Sequence, residues 1–473
     1  MSNSASRQGV SPSHQIPLHP VQDKIYTRSF SGFYRNLRLA GGTFLFLLFF
    51  GTAWINMGGK QAVLFDLSAR QFHIFGTTFW PQDFILLSWL LIICAFGLFA
   101  ITVFAGRIWC GYTCPQSVFT WVYMWAERLT EGERNQRIKR DKEPLNKEQL
   151  LRKLAKHSLW LLIAFITALT FVGYFTPIRG LMPDLISLQV SAWGSFWLLF
   201  FTLATYINAG WLREQVCLHM CPYARFQSVM FDNNTLVVAY DKARGESRGA
   251  RKRNTDPKSQ GLGDCIDCTV CVQVCPTGID IRNGLQYECI GCAACVDACD
   301  SIMDKMGYEK GLIRYTTEAE LSGGKTRLLR PRLIGYVASL LVIFGLFMWS
   351  LSTRPLLEMD VMRDRNTLYR ITADNHIENI YLIKVGNKTN IRQTLNLTVA
   401  GIKGLSIPEN TPIVVNPGER VDYLFKVQAP EVEGAPDSQA ITFTLQSSDP
   451  AIPPVETESR FMVPFTPQNK TGF

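Results

Sequence analysis

A chain of 473 residues, 47% of them hydrophobic and 12% aromatic, is long enough for roughly three domains of about 150 residues each. The apolar residues gather in a few dense blocks, so the formal net charge of +9 reads as basic cytoplasmic loops beside a membrane and not as a nucleic-acid surface. The 13 cysteines are clustered, which points to metal sites and away from a disulfide framework.

Residues 1–37 are polar, without the apolar core of a signal peptide, and are taken as a cytoplasmic N-terminal segment. A spanning helix needs about 20 apolar residues. Five stretches qualify: Leu39–Ile55, Phe84–Ala105, Leu159–Phe175, Leu188–Trp211 and Leu333–Leu351. The first four make a membrane domain over 38–240, and the last a fifth transmembrane helix over 333–351. Lys and Arg alternate between the connecting segments. They crowd the N-terminus, residues 106–158 and residues 212–332, and are sparse elsewhere, so those three regions are expected in the cytoplasm. The C-terminal region is then expected outside, in a bacterium the periplasm.

Two of the expected helices end toward the cytoplasm in the same pattern. "GRIWCGYTCPQSVF" holds Cys110 and Cys114 followed by Pro115, and "QVCLHMCPYARF" holds Cys217 and Cys221 followed by Pro222. Both read C-x3-C-P-x3-F, as an internal duplication of a helix end. Cysteines at i and i+4 on a continuous helix share a face, and two such faces offer four sulfurs to one metal. Sulfur donors favour copper(I), zinc or an iron–sulfur centre. His219 and Met220 lie inside the second pair, Met220 as a further soft donor. Cys94, alone within an apolar stretch, reads as a small helix residue. His73 and His157 fall at opposite ends of their helices, which argues against a shared haem.

Residues 241–263 are rich in Arg, Gly, Lys and Ser and read as a basic, solvated linker, with anionic lipid headgroups as an alternative partner. Residues 264–320 then carry C-x2-C-x2-C-x3-C twice. Cys265, Cys268, Cys271 and Cys275 are followed by Pro276; Cys289, Cys292, Cys295 and Cys299 are followed by Asp300, where small ferredoxins often have Pro. The tight spacing wraps three thiolates around one cubane and sends the fourth to the other. One [4Fe-4S] cluster should therefore take Cys265, Cys268, Cys271 and Cys299, and the second Cys289, Cys292, Cys295 and Cys275. Zinc sites of paired C-x2-C type fit this doubled pattern badly. Free thiolates in this number need a reducing compartment, which agrees with the charge distribution. Residues 355–473 change character: "NIYLIKVGNK", "QTLNLTVAG", "RVDYLFKVQAP" and "AITFTLQSS" are short alternating runs, the pattern of an all-β sandwich. The fold class is thus a multi-domain membrane protein. It has about five transmembrane α-helices, an inserted cytoplasmic bacterial-type two-cluster ferredoxin of α+β class, and a C-terminal β-sandwich.

The combination resembles the CcoG/FixG/RdxA family of cytochrome oxidase accessory proteins over nearly the whole chain. The likeness rests on "RQFHIFGTTFWPQDF" (70–84), "GRIWCGYTCPQ" (106–116), "CLHMCPYARFQSVM" (217–230), the doubled cluster motif and "KMGYEKGLIRYTTE" (305–318). The resemblance implies a protein of the bacterial inner membrane that serves assembly of a cbb3-type haem–copper oxidase by reducing copper(II) to copper(I). It further implies that Cys110, Cys114, Cys217 and Cys221 meet the copper, that the eight ferredoxin cysteines hold the clusters, and that the β domain is immunoglobulin-like. Implied partners are oxidase assembly factors or copper chaperones, a cytoplasmic electron donor, and membrane lipid. A second copy of the chain is a further candidate for the β domain. Two other functions stay open: an electron-transfer subunit linking quinone to a partner reductase, with the C-x3-C-P pairs as a thiol–disulfide relay, and a non-enzymatic copper-binding scaffold.

Overall fold

The computed structural model describes residues 24–253, 261–364, 367–389, 391–430, 436 and 438–464. The first part of the expected N-terminal segment, including Arg7, residues 254–260 of the expected linker, and the tail from 465 lie outside the described residues. Four helices are long and apolar enough to cross a membrane by length and composition: Pro81–Ala105, Lys147–Val172, Ala192–Leu212 and Pro331–Ser352. Leu, Ile and Phe on all sides of Phe84–Ala105 and Pro331–Ser352 suit them to lipid, since a helix apolar all round must be covered everywhere. The remaining candidate also forms a helix, Phe33–Thr52, but begins before Leu39 and takes Arg35, Asn36 and Arg38 into its first turns. Its apolar part is correspondingly short.

The chain folds into two compact units. One holds Met1–Thr43, Ile101–Leu162 and Tyr206–Arg330; the other holds Phe44–Ala100, Ile163–Thr205 and Pro331–Phe473. The backbone passes between them at Thr43, Ala100, Leu162, Thr205 and Arg330. Every passage falls within, or at the edge of, one of the apolar helices. The units therefore cut across the boundaries drawn from hydropathy: residues 101–162 and 206–240 pack with the ferredoxin segment.

In the second unit the alternating runs form two four-stranded antiparallel sheets. Arg420–Pro430, His376–Asn387 and Leu357–Arg363 lie side by side, with Arg370–Ile371 beside His376–Asn387; Ile413–Val415, Gln393–Ala400, Ser438–Ser447 and Val455–Met462 make the other sheet. Successive residues face opposite sides of a strand, so Tyr381, Ile383 and Val385 meet Leu395, Leu397, Phe443, Leu445 and Phe461 in one core. The sandwich is thus the expected all-β domain. The motif at 70–84 packs against it. Trp80 covers Gly386, where a Cβ would come within 3.1 Å of the ring. Asp83 accepts from Arg354 at 2.6 Å and from Lys388 at 3.0 Å, with all three side chains nearly inaccessible. His73 sits in the hairpin strand Gln71–Ile74 and meets Thr78 Oγ1 at 2.9 Å.

In the first unit the strands Val237–Tyr240 and Ile313–Thr316 pair antiparallel. Short helices at Val270–Gln273 and Ala294–Met306 complete the α+β ferredoxin. The duplication extends to the backbone. Thr269 and Ala293, each following the second cysteine of its run, both have positive φ, as do Asp267 and Gly291 just before those cysteines. The described part of the N-terminal segment is strapped to this domain through Arg28, Tyr34 and Arg35. Asp297 accepts from the backbone N–H groups of Tyr34 at 3.1 Å and Arg35 at 2.7 Å, and Arg28 N–H donates to Gln273 O at 2.8 Å. The described part of the expected linker is likewise held. Arg244 binds Asp264 at 2.6 Å and Lys310 O at 2.9 Å, and Arg251 binds Tyr308 OH at 3.0 Å. Arg244 and Arg251 thus act as internal clamps in this described part.

Candidate functional site

The eight ferredoxin cysteines surround two cavities. Cys265, Cys268, Cys271 and Cys299 line one of about 370 Å³, together with Met303 and Ile313. Cys275, Cys289, Cys292 and Cys295 line the other, of about 360 Å³. Cys271 borders both cavities, while Cys275 and Cys299 each line the cavity of the other run's cysteines. Burial pushes the thiols of Cys271, Cys289 and Cys299 up, to about 11, 12 and 12. Burial raises Cys295 well above the ordinary range. A buried thiol that resists ionisation alone gives up its proton readily only to a cation that takes its place. Four such sulfurs around an apolar hollow fit a cubane, which suits soft thiolate donors and keeps its ligands at separate corners. Among the described residues no three His, Cys, Asp or Glu side chains are drawn together tightly enough for a single ion.

The C-x3-C-P pairs depart from the expected geometry in an instructive way. Cys110 lies in the short helix Ile108–Tyr112, but Cys114 is the N-cap of a separate helix, Pro115–Glu131. Likewise Cys217 lies in the π-helical turn Val216–Met220, and Cys221 is the N-cap of Pro222–Met230. Proline cannot continue a helix but suits its first position, and it forces the residue before it out of the helical region. Cys114 (ψ 125°) and Cys221 (ψ 111°) are extended for that reason. Each pair therefore straddles a break and does not share one helix face, and the four sulfurs are not gathered around one ion as the sequence suggested. They form a neighbourhood instead. Burial pushes Cys110 up to about 12, with the charge of Cys114 and, more weakly, Cys217 adding to it. Burial pushes Cys217 up to about 11, with Cys114 and Cys221 adding. Cys114 and Cys221 each sit at a helix N-terminus.

This neighbourhood rests directly on the second ferredoxin run. A Cβ at Gly111 would lie 2.9 Å from both Cys292 Cα and Gly291 O, so the two backbones touch. Cys110 packs in one apolar cluster with Ile290 and Cys292. Tyr315 OH donates to Gly291 O and lies 3.3 Å from Tyr112 OH. Beside Cys217 opens a cavity of about 320 Å³, walled by Arg213 and Glu214 on one side and by Pro276 and Thr277 on the other. His219 and Met220 do not line it; both are exposed, Met220 to 62%. Cys94 is exposed on its helix, far in sequence from either run. His157 meets Tyr206 OH at 2.9 Å and belongs to the first unit, whereas His73 belongs to the second.

Two side chains beside the thiols escaped the spacing argument. Gln227, fully buried, accepts from the Cys110 thiol at 3.4 Å and leaves its amide nitrogen without a partner. Arg107 joins the Cys289 loop to the Pro222 helix. Both lie inside quoted motifs, but nothing in their spacing distinguishes them from neighbours.

Comparison with known proteins finds iron–sulfur and immunoglobulin-like domains along the chain. The family model "4Fe-4S dicluster domain" matches residues 212–318, "4Fe-4S binding domain" matches 87–130, and "IG-like fold at C-terminal of FixG" matches 347–464. The nitrogen fixation protein FixG of Rhizobium meliloti (strain 1021) is 36% identical over 424 residues, which cover 82% of this chain and 81% of that protein. Protein RdxA of Cereibacter sphaeroides is 36% identical over 408 residues, 82% of this chain and 85% of its own. A crystal structure of a FixG-related protein from Vibrio parahaemolyticus is 32% identical, covering 23% of this chain and 97% of that one, with a TM-score of 0.21. Fold, cysteine cavities and comparisons together define a membrane iron–sulfur redox protein with a C-terminal immunoglobulin-like domain. The chain belongs to the FixG/RdxA family.

Proposed function

We propose that the protein is a cupric reductase of the bacterial inner membrane that supplies copper(I) for assembly of a cbb3-type haem–copper oxidase. The observation that carries the proposal is the contact of the Cys110 turn with the Cys289–Cys292 loop. It sets soft-metal ligands against a cluster-binding loop without an intervening layer of protein. Held by Cys265, Cys268, Cys271 and Cys299 and by Cys275, Cys289, Cys292 and Cys295, two [4Fe-4S] clusters supply one-electron storage at potentials tuned by burial and hydrogen bonds. The remaining work falls to the chain. Apolar side chains such as Ile290, Met303 and Ile313 keep water from the sulfurs. Cys110, Cys114, Cys217 and Cys221 take the copper as substrate. Copper(II) gains one electron there and becomes copper(I), the state that thiolates hold best. Each electron comes from a one-electron donor on the cytoplasmic side.

The proposed topology puts the first unit in the cytoplasm, with the C-terminal domain and the 56–80 hairpin in the periplasm. Two features support it. The basic segments all belong to the first unit, and the hairpin is tied to the β domain through Asp83. The β domain then faces oxidase assembly factors or a periplasmic copper chaperone.

The test uses purified full-length protein with its clusters reduced, mixed with copper(II) and a copper(I)-specific chelator. Two one-electron centres should yield two copper(I) per chain, with recovery of the oxidised-cluster absorbance. Turnover with a quinone and none with copper would instead favour the quinone-linked subunit.

A further inference from the structure

Arg107 is a buried cation with no anion beside it. It is 7% exposed. One terminal nitrogen donates to Tyr287 O and, at 3.4 Å, to Cys289 O; the other donates to Ala224 O at 2.7 Å. The guanidinium lies 4.8 Å from the centroid of the Tyr287 ring. Among the described residues no carboxylate comes within ion-pair distance of it. Other buried arginines of the first unit differ. Arg137 pairs with Glu127, Arg282 with Asp280 and Asp267, and Arg330 with Asp232. Arg38, also without a carboxylate, is stacked 3.8 Å over Trp121.

Burying a guanidinium without a carboxylate costs several kcal/mol, and an anionic centre beside it would offset that cost. The groups that Arg107 meets are three backbone carbonyls and the Tyr287 ring, and one of those carbonyls belongs to Cys289 of the second ferredoxin run. Through the Cys289 carbonyl at 3.4 Å the guanidinium sits on the loop that carries Cys289 and Cys292. Arg107 also immediately precedes the helix that carries Cys110, and its backbone packs on Gly291. The same stretch of chain that presents the thiol therefore aims the charge at the loop.

We infer that Arg107 is the shared counter-charge of the Cys275/Cys289/Cys292/Cys295 centre and the neighbouring thiols, a positioning residue that raises the midpoint potential of that one cluster. The inference rests on the assignment of those cysteines as cluster ligands. Its physical basis is Coulombic. A fixed positive charge favours the more negative, reduced form, and does so strongly where the surroundings are apolar. The cluster nearer the copper site thereby becomes the electron's resting place before transfer.

The experiment is a redox titration, followed by spin resonance, of full-length protein carrying both clusters. Arg107→Gln should lower the midpoint of one cluster and leave the other where it was. Arg107→Lys, which keeps the charge but not the forked geometry, should stay close to wild type. Tyr287 is 37% exposed, so Tyr287→Glu can set a carboxylate against the guanidinium without disturbing the core. It should lower the same midpoint even if Arg107→Gln fails to assemble, and Tyr287→Phe should not. Unmoved potentials in both Arg107→Gln and Tyr287→Glu would overturn the inference. So would equal drops in the Gln and Lys variants, because the effect would then belong to hydrogen-bond geometry. A wild-type protein without two reducible clusters would count against the ligand assignment instead.

Discussion

Replacing Cys110, Cys114, Cys217 and Cys221 together by serine should abolish copper(I) formation and leave two reducible clusters in place. The four residues lie outside both ferredoxin cavities, so cluster assembly does not need their sulfurs. Serine keeps the size and the backbone, including the N-cap role of positions 114 and 221, where a hydroxyl is a preferred cap. What it removes is soft-donor character, and hydroxyl oxygen is a poor ligand for copper(I). Loss of a group that only supports a metal ligand already costs about 10–100-fold in affinity or activity. Loss of the donors themselves should cost at least about a hundredfold in the rate of copper reduction. The comparison is the chelator assay on protein whose visible spectrum shows both clusters. Wild-type rates in that variant would remove the thiols from the reaction.

Glu127→Ala should be the most destabilising single change in the first unit. Glu127 is fully buried in the Pro115–Glu131 helix and accepts from Arg137 at 2.8 Å and Arg213 at 3.2 Å. Arg137 is itself nearly inaccessible and also donates to Thr27 O at 2.6 Å, which reaches the N-terminal strap. Arg213 starts the turn that leads to Cys217, and it lies over Trp160. Removing the carboxylate strands two cations, one of them in the protein interior. Breaking a buried pair costs about 3–5 kcal/mol, far more than the pair is worth against an apolar replacement. The exposed pair Lys24–Asp141, with 45% and 22% of the side chains accessible, is the internal control. Lys24→Ala should cost no more than about 1 kcal/mol. Thermal unfolding of the two variants in detergent, read from cluster bleaching, should separate them clearly. Equal midpoints would mean that the Glu127 network is not what braces the Cys217 turn.

The sequence exposes some of this architecture and conceals the rest, for physical reasons. Iron–sulfur ligands from one run are close in the chain because one cubane must touch three of them, so Cys265–Cys268–Cys271 is legible from spacing alone. The doubled run also predicts a crossover of Cys275 and Cys299, and each of them lines the cavity of the other run's cysteines. Alternation in Ile377–Val385 marks the sandwich, since a strand buries every second residue. Hydropathy overstates the first spanning stretch, because Arg35 and Arg38 enter the same helix. The C-x3-C spacing suggests one helix face, whereas Pro115 and Pro222, visible in the sequence, split each pair between two helices. The least legible features are pairings across long separations. Asp297 with Tyr34 and Arg35, Glu127 with Arg213, Arg107 with Ala224 and the Cys289 loop, and Asp83 with Lys388 depend on tertiary packing that no local pattern encodes.

Rapid mixing of the fully reduced protein with copper(II) tests the central claim most directly, with cluster absorbance and copper(I) chelate followed on one time base. If the thiol neighbourhood and the cluster loop form a single electron path, reoxidation of the clusters and appearance of copper(I) should share one rate and one electron count. Copper(I) that appears while the clusters remain reduced, or clusters that reoxidise with no copper(I) formed, would contradict it.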